Sequence, residues 1–384
     1  MSNELLCLTD DGCGASLLER LRTRAYNKVA LMRLQLEVTK RCNLSCQHCY
    51  VAGKQRELTT QAVFRLFDEA ADEGCLMVTL TGGEVAMRSD WLELAAAVRK
   101  RRMMVNVYTN GTLLTEEDCV ALAKLKPMFV GVSLYGSRAE VHESITKVPG
   151  SFERSVSALR RLRELGVTCQ IKNVLMPENL HDVRATGELA RRLDCVYSFD
   201  PTVSPKADGD ASVTEHRVTA DELWPFYLEQ LYAKPRKVRT DGDGNGRPVA
   251  RNCSAGFSSA FVDASGDVYP CMGFPPAWGD VSEASLNEIW RGPAATMHRR
   301  LMQRELSTCN RCDLLKYCTA RCPRLALLED GDMSGPSHRA CELAKLVKRM
   351  HDELVFNAKV SNDETTKVPR RGAREVILCE EGVS

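Results

Sequence analysis

The ten residues RCNLSCQHCY, positions 41–50, set Cys42, Cys46 and Cys49 close together in one loop-like segment. They follow directly on a short strand-like run, LQLEV (34–38). Three thiols at this spacing ask for a soft metal. Zinc and iron–sulfur sites ordinarily use four protein ligands, so a fourth place is left open. Two readings follow from the residues alone. One is a zinc site completed by His48 or by a distant residue. The other is a cubane cluster with three irons held by protein and the fourth open to a small molecule. Either needs a scaffold that presents a loop at the C-terminal edge of a strand, where barrel-type active sites sit.

The rest of the first half supplies such a scaffold. Short apolar or β-branched runs recur at 76–81, 104–109, 129–134, 168–175 and 195–199. Helical patterns lie between them. TTQAVFRLFDEAADEG carries threonine caps, one apolar face and a terminal Gly74; TEEDCVALAKL opens on Thr115 with Asp118 as a capping box; SFERSVSALRRLRELG runs from Ser151 to Gly166. About six alternations predict a parallel sheet with crossover helices, and the runs read as nearly continuous in apolar character, as strands buried on both faces do. We expect an N-terminal extension over 1–33, a partial (β/α)6 TIM-type barrel over 34–215, a bridging region over 216–252 with one helix, ADELWPFYLEQLYAK, a cysteine-rich region over 253–345 and a C-terminal helix and tail over 346–384, in which EVILC has strand character.

The 384 residues contain 17 cysteines, too many for packing alone. No apolar run approaches the about 18 residues of a membrane span, and MSNELLCLTDDGCG is not a secretory signal, so a cytoplasmic, reducing location is expected and disulfides are disfavoured. With 52 basic and 51 acidic residues, nothing points to nucleic acid or a membrane surface as partner. Seven cysteines crowd the C-terminal half: Cys253, Cys271, Cys309, Cys312, Cys318, Cys322 and Cys341. CNRCDLLKYCTARCP is ferredoxin-like in density and ends in Cys-Pro. This region reads as held together by metal rather than by a large apolar core. The other seven cysteines (7, 13, 75, 119, 169, 195 and 379) are scattered, and several fall inside helices or strands as small apolar residues.

These motifs resemble those of radical S-adenosylmethionine (SAM) enzymes. CxxxCxxC after the first strand is that family's hallmark, and the resemblance implies that the open iron of a [4Fe–4S] cluster binds SAM. LTGGEV looks like the family's GGE motif. There Gly82 and Gly83 let backbone approach the ligand, and Glu84 stands near the SAM ammonium. YTNGT (108–112) and GVSLYG end the next two strands, where the family lines its pocket. Ser133 is a SAM-binding candidate, while Tyr135 replaces an aspartate common there. IKNVLMPEN resembles the segment contacting adenosine, with Asn173 as the contact. The seven later cysteines, Gly266 and DVSEASLNEIWRG look like the SPASM domain of peptide-modifying relatives. Carried over, Cys253, Cys271 and Cys322 hold a first auxiliary cluster, with no obvious fourth cysteine and room for a substrate thiolate. Cys309, Cys312, Cys318 and Cys341 hold a second.

The resemblance implies SAM and three [4Fe–4S] clusters as cofactors, flavodoxin or ferredoxin as electron donor, and a ribosomally made peptide that is oxidatively modified or cross-linked. Only 41 residues precede Cys42, so peptide recognition is expected to fall to a separate small protein or to the barrel and bridging region. No acid/base pair stands out. Two other enzymes fit less well. A sulfatase-maturing, formylglycine-forming enzyme has an aspartate where Met272 stands, and tetrapyrrole-modifying relatives of haem synthesis commonly lack the full cysteine field. An iron–sulfur carrier or zinc scaffold would explain the cysteines but not GGE.

Overall fold

The computed structural model describes residues 17–52, 56–233, 253–302, 307–318 and 321–361. Among the described residues nine strands form one sheet: β1 Arg33–Glu37, β2 Met77–Thr81, β3 Met104–Thr109, β4 Phe129–Ser133, β5 Cys169–Val174, β6 Val196–Asp200, β7 Ser259–Val262, β8 Asp267–Tyr269 and β9 Gly279–Asp280. Their order is β6-β5-β4-β3-β2-β1-β7-β8-β9. The first six strands pair in parallel in chain order, each step crossed by helix, as parallel pairing requires.

Local chemistry starts these helices where the sequence marks them. Thr59 accepts from Ala62 N–H at the head of Thr60–Asp72, and Thr115 and Asp118 form a complete capping box ahead of Glu116–Lys124. Ser151–Glu164 follows as expected, while Ala139–Thr146 and Val183–Arg192 were not foreseen.

The strands alternate rather than running apolar throughout. Leu34, Leu36, Val78, Leu80, Val105, Val107, Val130, Val132 and Ile171 are buried and share one core with Val63, Leu66, Phe67, Leu94, Leu122 and Leu159 of the helices. Burying each such side chain stabilises by roughly 1.5–3 kcal/mol. The intervening positions, Gln35, Glu37, Thr79, Asn106, Tyr108, Ser133 and Lys172, take the other face. The reason for the difference is that only one face meets helices; the other lines the lumen and carries polar groups.

The cysteine-rich region is also joined to the barrel sheet. β7, from the cysteine-rich region, pairs in parallel with β1, Arg33 opposite Ser259 and Leu36 opposite Val262. Ala260, Val262, Val281, Leu286, Ile289 and Trp290 belong to the same core as the barrel, and Trp290 Nε1 donates to Val29 O at 3.0 Å. The region from 253 is therefore anchored by apolar burial as well as by any metal. Lys40 from the β1 loop pairs with Asp263 at 2.9 Å, both nearly buried, and adds a second tie. A boundary at 345 falls inside the helix His338–Ser361. The bridging helix is Ala220–Ala233; EVILC, Cys7, Cys13 and Cys379 lie outside the described residues.

Candidate active site

The triplet loop is held by the turn after β2. Gly83 N–H donates to Thr39 O and Glu84 N–H to Arg41 O, both at 2.8 Å. A Cβ on Gly82 would sit 2.6 Å from Thr39 O, and one on Gly83 would sit 2.4 Å from Arg41 O. Neither is sterically possible without moving the loop that carries Cys42. The glycines thus let two protein loops touch, in addition to whatever access they give a ligand.

Glu84 is 1% exposed. Its carboxylate accepts from Thr109 Oγ1 at 2.5 Å, Asn110 N–H at 2.6 Å and Ala86 N–H at 3.2 Å. Burial raises its pKa, opposed by those donors. The carboxylate thereby joins the turn after β2 to the end of β3. Asn110 continues the latch: its Nδ2 donates to Asn43 Oδ1 at 3.0 Å and lies 3.9 Å from Cys42 Sγ. Asn43 Nδ2 in turn donates to Thr112 Oγ1 at 2.8 Å.

Cys42 is exposed and Cys46 and Cys49 are half-buried, all as free thiols. Burial, then the neighbouring Cys49 and Cys42, push Cys46 up to about 12. Crowded thiols of this kind give up their protons when metal charge arrives, so the donor set suits a metal–sulfur group. His48 turns its ring edge-on to Tyr135, centroids 4.8 Å apart. Tyr135 is buried, and its N–H donates to His142 Nδ1 at 3.1 Å.

Ser133 ends β4 opposite Lys172 of β5. Lys172 faces the lumen with Nζ 4.5 Å from the centre of the Tyr108 ring. Asn173, expected to contact adenosine, points the other way. It is 2% exposed, its Nδ2 donates to Tyr197 OH at 2.9 Å and its Oδ1 accepts from Asn179 at 3.0 Å. It is a buried strand-end polar residue, because strand alternation gives the lumen to its neighbour Lys172. Beside the triplet lies a cavity of about 390 Å³, lined by Ser45, Cys46, Gln47, Cys49, Val51, Lys206, Ser212, Val213, Glu215 and His216.

Several of the later cysteines feel one another's charge. Burial, then Cys253 and Cys322, push Cys271 up to about 12; burial and then, more weakly, Cys322 push Cys253 up to about 11. Cys341, at the start of its long helix, is raised by burial and then by Cys309 and Cys312. Cys318 closes the turn Leu315–Tyr317 between them in sequence. Cys253, Cys271 and Cys322 come from three distant segments of the chain and are near enough for Cys271 to feel both of the others.

Comparison with known proteins agrees with this geometry. The radical SAM superfamily model matches residues 36–190, and the SPASM iron–sulfur cluster-binding domain matches 253–313. Fe-coproporphyrin III synthase of Methanosarcina barkeri is 34% identical over 328 residues, covering 73% of this chain and 80% of that protein. The chain belongs to the radical SAM superfamily. AdoMet-dependent heme synthase of the same organism is 29% identical over 77% of this chain and 92% of that one. PqqA peptide cyclase of Ruegeria pomeroyi is 29% identical over 78% and 85%. Among solved structures, Streptococcus suis SuiB bound to precursor peptide SuiA superposes with a TM-score of 0.65, at 18% identity over 88% of this chain and 85% of that one; at that identity it speaks for the fold alone. This radical SAM/SPASM chain accordingly uses a SAM-binding [4Fe–4S] cluster and auxiliary iron–sulfur clusters. Among the described residues no helix is long and apolar enough to cross a membrane. Sequence reasoning passed over Asn43, Lys172 and the cavity residues Gln47, Glu215 and His216; the adjacency of Asn43 to Cys42 was the available signal, whereas Asn110 lies within the YTNGT run already read as pocket lining.

Proposed function

We propose that this enzyme oxidatively modifies or cross-links a peptide. The observation that carries this reading is the polar wall of the cavity beside Cys46 and Cys49. Gln47, Lys206, Ser212, Glu215 and His216 offer donors and acceptors of both signs, which suits an extended backbone with varied side chains. A flat macrocycle favours broad apolar walls. In this reading Cys42, Cys46 and Cys49 hold the SAM cluster, the carbonyls near Gly82 and Gly83 and the hydroxyl of Ser133 face SAM, and Lys172 supplies a cation in the lumen. When bound, the cluster and SAM together supply a 5′-deoxyadenosyl radical that removes hydrogen from an unactivated carbon. The barrel's part is to orient the substrate and exclude water. Cys253, Cys271 and Cys322 hold an inner auxiliary cluster with room for a substrate thiolate; Cys309, Cys312, Cys318 and Cys341 hold an outer one. Flavodoxin or ferredoxin delivers the electron, a cytoplasmic location follows from that need, and a separate recognition protein is a candidate partner.

A second reading, modification of a tetrapyrrole, is favoured by the identity to Fe-coproporphyrin III synthase and AdoMet-dependent heme synthase. The two are separated by adding either iron-coproporphyrin or short cysteine-containing peptides encoded beside the gene to reconstituted, reduced protein with SAM. The peptide reading expects peptide-dependent 5′-deoxyadenosine release and a mass shift of the peptide. A porphyrin-band shift on binding, with 5′-deoxyadenosine release stimulated by porphyrin only, would overturn it. Absence of 5′-deoxyadenosine under every condition would overturn both.

A further inference from the structure

Between the triplet loop and the inner auxiliary thiols stands one buried guanidinium. Arg324 follows Cys322 by two residues, in the first turn of the helix Pro323–Asp330, and is 5% exposed. Its Nε donates to Gly273 O at 2.7 Å, two residues beyond Cys271. Its Nη2 donates to Pro205 O at 2.8 Å, in the segment leaving β6. In that segment Ala207 N–H donates to Tyr50 O at 3.0 Å, and Tyr50 is the neighbour of Cys49. A Cβ on Gly273 would press on Arg324 Nη2 at 3.1 Å and on Ala207 at 3.2 Å. Segments from the triplet loop, the strand β6 exit and both inner cysteine flanks therefore gather around this side chain.

The hydrogen bonds of Arg324 go to carbonyls, which leave its charge uncancelled. Its electrostatic neighbours are the thiols of Cys271 and Cys322, then Tyr50, then Glu329, and Glu329 accepts from Arg217 Nη2 at 2.5 Å. A buried cation without a directly paired carboxylate is costly unless an anionic group is bound beside it. A cluster held by thiolates is such a group. Its potential responds to nearby charge and burial, and an added electron next to a guanidinium in low dielectric is strongly favoured.

We propose that Arg324 holds up the reduction potential of the cluster carried by Cys253, Cys271 and Cys322, so that this cluster accepts the electron given up by the substrate radical. One electron moves: the substrate radical is oxidised by one, the cluster is reduced by one, and no bond to Arg324 forms or breaks. The proposal rests on the ligand assignment made under the proposed function. Arg324 is a positioning and tuning residue, and the readout is a potential.

The test is an EPR-monitored redox titration of the anaerobically reconstituted full chain, with iron and sulfide counted. R324Q, which keeps an amide to donate but loses the charge, is expected to lower the inner cluster's reduction equilibrium at least tenfold, about 59 mV for a one-electron couple. R324K is expected to recover most of that shift, and the potential of the Cys42 cluster to stay in place. An unmoved inner potential in R324Q, or one lowered equally in R324K, overturns the proposal. Should R324Q fold without the inner cluster, E329Q decides: removing that anion is expected to raise the potential, and no rise overturns the proposal. Wild-type protein that carries no inner cluster at all would instead sink the ligand assignment.

Discussion

The loop of Cys42, Cys46 and Cys49 and the segment of Cys309, Cys312 and Cys318 present thiols in two contrasting ways. The first is fixed by long-range bonds: Thr39 O and Arg41 O to the Gly83–Glu84 turn, Asn43 to Thr112, Asn110 to Asn43. The second is shaped by local backbone turns, Cys312 N–H to Cys309 O and Cys318 N–H to Leu315 O, with Cys312 exposed, and is tied to the long C-terminal helix through buried Tyr317, whose hydroxyl lies 3.3 Å from His351 Nδ1. The contrast fits a division of labour. A site that must hold SAM in one orientation needs its ligands placed by the scaffold. A site that only passes electrons can let the metal organise short turns around itself.

The sharpest way to break that contrast is G83A. The added methyl meets Arg41 O at 2.4 Å and Lys40 O at 2.7 Å, and backbone on both sides cannot yield as a flexible side chain would. We expect iron at the Cys42 site to be lost and 5′-deoxyadenosine formation to fall by about 100-fold or more, a 1 Å misplacement being enough for that. The EPR signals of the C-terminal clusters should persist. Retained SAM cleavage in G83A would show that the loop is not rigidly seated.

A second substitution tests the tie between barrel and C-terminal region. K40M leaves Asp263 nearly buried without its partner at 2.9 Å. Breaking such a pair from one side costs about 3–5 kcal/mol, to be read by thermal or denaturant unfolding. A change below about 1 kcal/mol would mean that β7 holds the two parts together without this ion pair.

How much of this was legible before the structure follows from the range of each signal. The triplet, Gly82–Gly83–Glu84 and the Thr115/Asp118 box are local, and each does structural work where the sequence places it. β7 was missed because Ser259–Val262 finds its partner β1 more than two hundred residues away, and four residues of SAFV carry no periodicity. Asn173 was placed in the pocket because a strand-end motif does not say which parity faces the lumen; Tyr197 on the neighbouring strand decides it. The function of Arg324 depends on Gly273 and Pro205, neither of which is near it in sequence.

A pH experiment sharpens the comparison from the lumen side. Glu37 ends β1, is 3% exposed, and burial raises its pKa to about 7, opposed by Lys40. The folded pKa lies above the unfolded value of 4.5, so folding is favoured by the protonated form. That contribution is complete below the unfolded value and is lost as pH rises through about 7. The interval corresponds to about 3 kcal/mol as an order of magnitude. E37Q, which mimics the protonated form, should match wild type near pH 5 and exceed it in Tm near pH 8. A parallel pH dependence of the two proteins would place the carboxylate in contact with water.

The smallest effect belongs to the C-terminal cysteine-rich region. Gly331 caps the helix Pro323–Asp330 with φ of +76°, and a Cβ there would meet nothing within 4 Å. G331A therefore carries only the left-handed backbone penalty, about 1–2 kcal/mol, with no collision to move Cys322 or Cys341. Chemical denaturation should register that loss while iron content and all cluster signals stay at wild-type levels. The same Gly→Ala change thus separates the two kinds of site. At position 83 the methyl strikes backbone that carries the ligands, and at position 331 it faces open space. Loss of the outer cluster in G331A would mean that the short turns around Cys309, Cys312 and Cys318 depend on the register of this helix, and that the outer site is as scaffolded as the first.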